Sequence, residues 1–96
     1  MVLVSARREL IWQEWDDIYI VYQSSSAETH VFNETTASIL KSLESGPLSA
    51  GEVKERTEVA LGADPGELST DDFGFATMRL EELGLIERLD DANAVQ

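Results

Sequence analysis

The stretch Leu10-Ile11-Trp12-Gln13-Glu14-Trp15, Asp16-Asp17, Ile18-Tyr19-Ile20-Val21-Tyr22, Gln23-Ser24-Ser25-Ser26 and then Glu28-Thr29-His30-Val31-Phe32 decides the architecture of this chain. β-Branched and aromatic residues concentrate in three short runs, and the residues between them are turn formers. Links of roughly two to five residues permit only antiparallel neighbours, so the three runs predict a hairpin meander. Its third strand, Glu28 to Phe32, falls at an edge.

Downstream of the meander the period changes from two to 3.6. Asn33 is placed to cap a helix, because its side-chain oxygen accepts a free backbone N–H, and Glu34 follows in the electropositive first turn. Thr36, Ile39, Leu40 and Leu43 then recur at i, i+3, i+4, i+7, and Gly46-Pro47 stops the helix. Ser49 with Glu52 makes a capping box, with Leu48 and Val53 as the apolar staple across it. Val53, Thr57, Ala60 and Leu61 give this second helix a weak inner stripe, and Gly62-Ala63-Asp64-Pro65-Gly66 is a loop by composition. Ser69 or Thr70 caps a third helix that opens with Asp71-Asp72 and ends at Gly84. Residues 85–89 alternate and read as a fourth strand or an extended tail, and residues 90–96 read as frayed. No repeat or internal boundary divides residues 1–96, and the ordered core is expected over about residues 8–89. Strands first and helices afterwards predict an α+β fold, a three-stranded antiparallel sheet followed by three helices, which are also the parts of a winged helix-turn-helix.

Composition removes several classes of function. The chain has 96 residues, 7 basic and 19 acidic side chains and a formal charge of −12. Its cations are scattered, whereas binding many phosphates needs them clustered, so nucleic acid and anionic membrane are not expected partners. With no cysteine and one histidine there is no thiolate zinc site and no disulfide framework, which fits a reducing cytoplasm. No apolar run approaches the roughly 20 residues of a membrane span, and Met1-Val2-Leu3-Val4 is shorter than a secretory signal core of about 7 residues or more.

Few residues offer chemistry. His30 is the only imidazole, but it lies in a strand between Thr29 and Val31 with no forced carboxylate partner, and structural histidines in such places are the common case. Ser24-Ser25-Ser26 is a nucleophile run only with a base nearby, and a solvated turn explains it. The acidic pairs lack a calcium-loop pattern, and Gly62 to Gly66 lacks the Lys-Ser/Thr of a phosphate loop. No enzyme activity, cofactor or metal is expected.

The third helix is more informative. At 100° per residue Phe73, Ala76, Leu80 and Leu83 form the core side, which leaves Phe75 and Met78 on the other side with Arg79 and Glu82. Either a loop or the C-terminal segment covers these two, or they form the wall of an interaction groove. The edge strand supplies an opposite wall. Glu28 to Phe32 contains neither Lys nor Pro, the usual edge protection, although Glu28 and His30 already supply polarity there and many edges are bare without consequence.

Trp12 and Trp15, Asp16-Asp17, Tyr19 to Tyr22, Glu28-Thr29-His30-Val31-Phe32-Asn33 and Ala37 to Leu40 resemble the PqqD-like family, most closely its HPr-rel-A branch. The resemblance covers about residues 10–45, with Phe32 where a leucine is more usual and no glycine before the Thr-His pair. It implies a non-catalytic peptide chaperone of winged-helix type that holds the leader of a precursor peptide as an added strand and presents it to a modifying enzyme. An HPr kinase-related protein is the further partner it implies. Carried onto this chain, it places Glu28, Thr29, His30, Val31 and Phe32 on the pairing edge and Phe75, Met78, Arg79 and Glu82 on the facing wall. The competing expectations are a winged helix-turn-helix regulator that reads DNA and a module that dimerises through its bare edge, so that the chain is a monomer or a homodimer.

Overall fold

The computed structural model describes residues 2–5, 10–23 and 27–89. In chain order its elements are β1 (Val2–Ser5), β2 (Leu10–Trp15), β3 (Ile18–Gln23), β4 (Glu28–Phe32), α1 (Glu34–Ser42), β5 (Leu48–Ser49), α2 (Ala50–Leu61), α3 (Thr70–Glu82) and β6 (Ile86–Leu89). The meander forms as expected: β2, β3 and β4 lie side by side and antiparallel, with β4 at one edge. Trp15 pairs with Ile18 across the two-residue turn, where Asp16 adopts a left-handed φ of 56° that aspartate tolerates. Gln23 pairs with Glu28 at the next hairpin. The serine run at 24–26 and the tail at 90–96 lie outside the described residues.

The expectation of one sheet followed by helices is corrected. A second antiparallel sheet has the order β5-β1-β6, so strands also precede the meander, separate α1 from α2, and follow α3. Val2 pairs with Ser49 on one side and Leu89 on the other, and Leu3 pairs with Leu48 and Arg88. The physical reason is that β1 is too short to announce itself and both of its partners are remote in sequence. Leu3 is fully buried, so the core reaches ahead of residue 8. Of the two readings of residues 85–89, the strand is the one that forms, over Ile86–Leu89.

The helix caps form at the expected residues. Asn33 Oδ1 accepts the Thr36 N–H at 2.9 Å, Ser49 Oγ accepts that of Glu52 at 3.2 Å, and Ser69 rather than Thr70 accepts that of Asp72 at 3.1 Å. Gly62, at φ 70°, takes the left-handed end of α2. Leu3, Val21, Phe32, Ile39, Leu40, Leu43, Val53, Phe73, Leu80, Leu85 and Ile86 form one core that draws on both sheets and all three helices. On the inner face of the meander Trp12 donates from Nε1 to Glu44 at 2.9 Å, and the Lys41 ammonium lies 5.0 and 4.9 Å from the Trp12 and Tyr19 ring centres. These contacts fasten the last turn of α1 to the sheet.

The stripe expected on α2 stops early. Val53 and Thr57 are buried, but Ala60 is exposed and Leu61 only half-buried. The buried residue of that turn is Glu58, whose Oε2 accepts the N–H groups of Gly66 and Leu68 at 2.9 and 3.1 Å and lies 3.3 Å from Lys54 Nζ. Glu58 therefore ties the loop before α3 to α2. Burial pushes its carboxyl up, but the Leu68 N–H, the Lys54 ammonium and the Gly66 N–H together outweigh burial and hold it below its ordinary 4.5. Between the lowered folded value and 4.5 the unfolded chain binds more protons, so this contribution is complete above 4.5 and is lost as the pH falls through the folded value. Glu58→Gln should therefore flatten the acid limb of a plot of melting temperature against pH. The exposed control Glu55→Gln should not, and equal curves for the two variants would rule this role out.

Candidate functional site

β4 passes directly into α1 at Asn33, and this junction faces α3. Phe32 points into the core at 6% exposure, and His30, on the same face, stacks its ring on Phe32 at 5.9 Å with an interplanar angle of 11°. His30 Nε2 lies 3.4 Å from Gln23 Oε1, so the tautomer with its proton on Nε2 donates there. The imidazole is occupied by packing and by an amide. Thr29 and Val31 take the opposite, solvent-facing side, with Val31 62% exposed. Among the described strands β4 pairs only with β3.

α3 turns its apolar stripe of Phe73, Ala76 and Leu80 into the core and its other side to solvent. Phe75 is 70% exposed and Met78 52%, so the described residues leave both largely uncovered. Between the β4–α1 junction and α3 lies a cleft of about 300 Å³, with Asn33, Thr35 and Thr36 on one bank and Asp72, Phe75, Ala76 and Arg79 on the other. A wider groove of about 660 Å³ runs along the other flank of Phe75, between Ala50, Gly51 and Lys54 of α2 and Gly74, Phe75 and Met78 of α3, with Arg88 at its rim.

The wall expected from Phe75, Met78, Arg79 and Glu82 is therefore divided. Phe75 and Arg79 line the cleft at the start of α1, which none of Glu28 to Phe32 lines, Met78 lines the groove on the α2 side, and Glu82 is exposed and lines neither. Phe75 is the ridge common to both. Of the pairing-edge residues, Glu28 to Phe32 follow one another along β4 as expected, but the Phe32 side chain belongs to the core. Sequence reasoning missed Thr35 and Thr36 as lining, and it missed the second groove altogether. A signal for that groove exists in Gly51 and Gly74, both inside helices, where an added Cβ would meet nothing within 4 Å. These glycines leave space open; they do not permit close helix contact.

Electrostatically the region is acidic. Residues 64–91 carry nine acids and two arginines, and Arg88 is paired with Glu81 at 2.6 Å, which leaves Arg79 as the cation lining the cleft. Among the described residues no three His, Asp or Glu side chains converge as metal ligands, and no helix is long and apolar enough to cross a membrane. No family model, curated protein or solved structure matches this chain.

Proposed function

We propose that this chain is a peptide-recognition domain that takes an extended segment of a precursor peptide as an added strand on β4 and presents it to a modifying enzyme. The observation that carries this reading is the position of β4. It is the last of the described strands of its sheet, it has neither Lys nor Pro, and it leads at Asn33 to a cleft whose far bank offers the exposed Phe75 ring and the Arg79 guanidinium. An edge strand supplies main-chain hydrogen bonds that any extended peptide satisfies, and the pockets beside it select among side chains. In this scheme β4 provides the ladder, Phe75 covers an apolar peptide residue, and Arg79 meets an acidic or carbonyl group next to it.

The likeness of residues 10–45 to the PqqD-like family supports the same assignment, with the HPr kinase-related protein of that branch as a recipient of the bound peptide. So does the succession α1, β5, α2, α3, β6, which we read as a winged helix whose small sheet is completed by the N-terminal β1. The formal charge of −12 favours fast capture of a basic peptide and weaker capture as salt is added. Duplex DNA would meet an acidic α3, which counts against the regulator alternative.

A direct test is amide-resolved NMR titration with synthetic peptides that span the short reading frames beside the gene. The expected result is saturable shifts at β4, Phe75 and Arg79, with β4 amides newly protected from exchange. Saturable binding that leaves β4 unprotected would refute strand addition, and tight binding of duplex DNA at low salt by a chain indifferent to every peptide would replace this reading with the regulator.

A further inference from the structure

The meander has a second face, which peptide capture does not use. Across the three strands Ile11 lies opposite Tyr22 and Tyr22 opposite Thr29, Gln13 lies opposite Ile20 and Ile20 opposite Val31, and Trp15 lies opposite Ile18. Directly paired residues share a face. These eight side chains therefore form one surface, turned away from the face that buries Val21 and Phe32. Six of the eight are apolar and none is charged, in a chain with 26 charged side chains (7 basic and 19 acidic). Ile11, Trp15, Ile18, Tyr22 and Val31 are 58%, 69%, 48%, 38% and 62% exposed. Together they leave on the order of 500 Å² of apolar surface in water, toward the upper end of the ~300–600 Å² largest patch of an ordinary monomer.

We propose that this face is the interface between two copies of this chain, packed sheet on sheet. Charge selects the occupant. A partner recognised by a net charge of −12 would be met by carboxylates, and the eight described side chains of this face include none. It is also the surface on which two equally acidic chains approach without setting acid against acid. Geometry agrees, because Ile20 sits at the middle of the central strand, so a two-fold axis near it brings apolar rows onto apolar rows in a closed, self-complementary contact. The area fits a weak, reversible contact: about 500 Å² of apolar surface from each copy makes about 1,000 Å² in total, the lower bound for a specific interface, to which Gln13 and Thr29 add polar area. Such a dimer leaves the open edge of β4 untouched. The inference therefore goes beyond peptide capture and does not depend on it.

The test is sedimentation velocity of the full chain from about 1 to about 200 µM in roughly 0.3 M salt, where the Debye length is under ~8 Å and self-repulsion is screened. A reversible monomer–dimer equilibrium is expected, with tryptophan emission moving to the blue as the dimer forms. Trp15→Gln should weaken association at least ~10-fold and remove the emission shift, and Ile20→Lys should weaken it more. Because Ile20 is half-buried, the well-exposed Trp15 variant carries the decision if Ile20→Lys misfolds. A chain that stays monomeric throughout overturns the proposal. So does a dimer indifferent to Trp15→Gln, which would be pairing through an edge, or a mass that climbs without limit. If the chain is monomeric alone and this face becomes protected only on an unlike protein, the second copy is the wrong occupant.

Discussion

His30→Pro and Val31→Pro are expected to separate peptide binding from stability, each losing what the other keeps. Along an antiparallel strand, successive residues direct their N–H and C=O alternately to one side and the other. Because β3 is the one neighbour of β4 among the described strands, one of these two residues is in the β3 ladder and the other faces the open edge. Proline at the edge-facing position costs the domain little, since edge strands tolerate it there. It removes a donor from the incoming peptide and puts its ring in the peptide's path, so affinity should fall more than ~100-fold at an unchanged melting temperature. Proline at the other position breaks the β3–β4 ladder and should lower stability by about 1–3 kcal/mol. His30→Ala serves as the control for the lost ring stacking on Phe32.

Phe75→Ala extends the same experiment to the far bank. The ring is 70% exposed in the free domain, so its removal should leave stability unchanged. A peptide that covers it gives up about 1.5–3 kcal/mol on its loss, a ~10- to 100-fold weaker complex. If both folded proline variants bind as the parent chain does, strand addition on β4 is wrong. If proline abolishes binding and Phe75→Ala leaves it intact, the peptide lies on the sheet without reaching α3.

Local signals account for what the sequence makes legible. Each helix cap reaches three positions along the chain, from Asn33 to Thr36, Ser49 to Glu52 and Ser69 to Asp72, and the meander is written in runs whose partners follow at once. Helical period alone sets Phe75 and Met78 off the core stripe of α3, whereas their exposure is visible only in the fold. β1 is not legible in this way, since its register is set by Leu48-Ser49 and Ile86–Leu89 together, and a four-residue apolar run has no periodicity of its own to distinguish it. Glu58 reads as one more surface acid, because the N–H groups it accepts belong to residues eight and ten positions further on. The division of the α3 wall escapes for a related reason. Which flank of Phe75 a side chain serves depends on where α1 and α2 lie, and neither position is encoded in the spacing within α3.

Leu3→Ala should destabilise the whole domain, although Leu3 stands third in the chain. Its side chain is fully buried in the common core, and truncating such a leucine costs about 2–5 kcal/mol through lost transfer energy and the cavity left behind. For a domain of this size, total stability is on the order of 5–15 kcal/mol, so the loss is a large share of it. Deleting residues 1–5 should do more, because β1 is the central strand of its sheet and both β5 and β6 pair with it. β5 leads directly into α2, and β6 follows α3 within a few residues, so β1 also holds the start of one helix near the end of the other. The groove between α2 and α3 depends on that tie. The expected result in urea is a midpoint lowered by Leu3→Ala, a smaller change for the half-buried Val4→Ala, and loss of the cooperative transition in the deletion. Leu3→Met, which conserves volume, should stay within about 1.5 kcal/mol of the parent. A deletion variant that melts like the full chain would mean that the second sheet bears no weight, and the bank carrying Phe75 and Arg79 would then need another support.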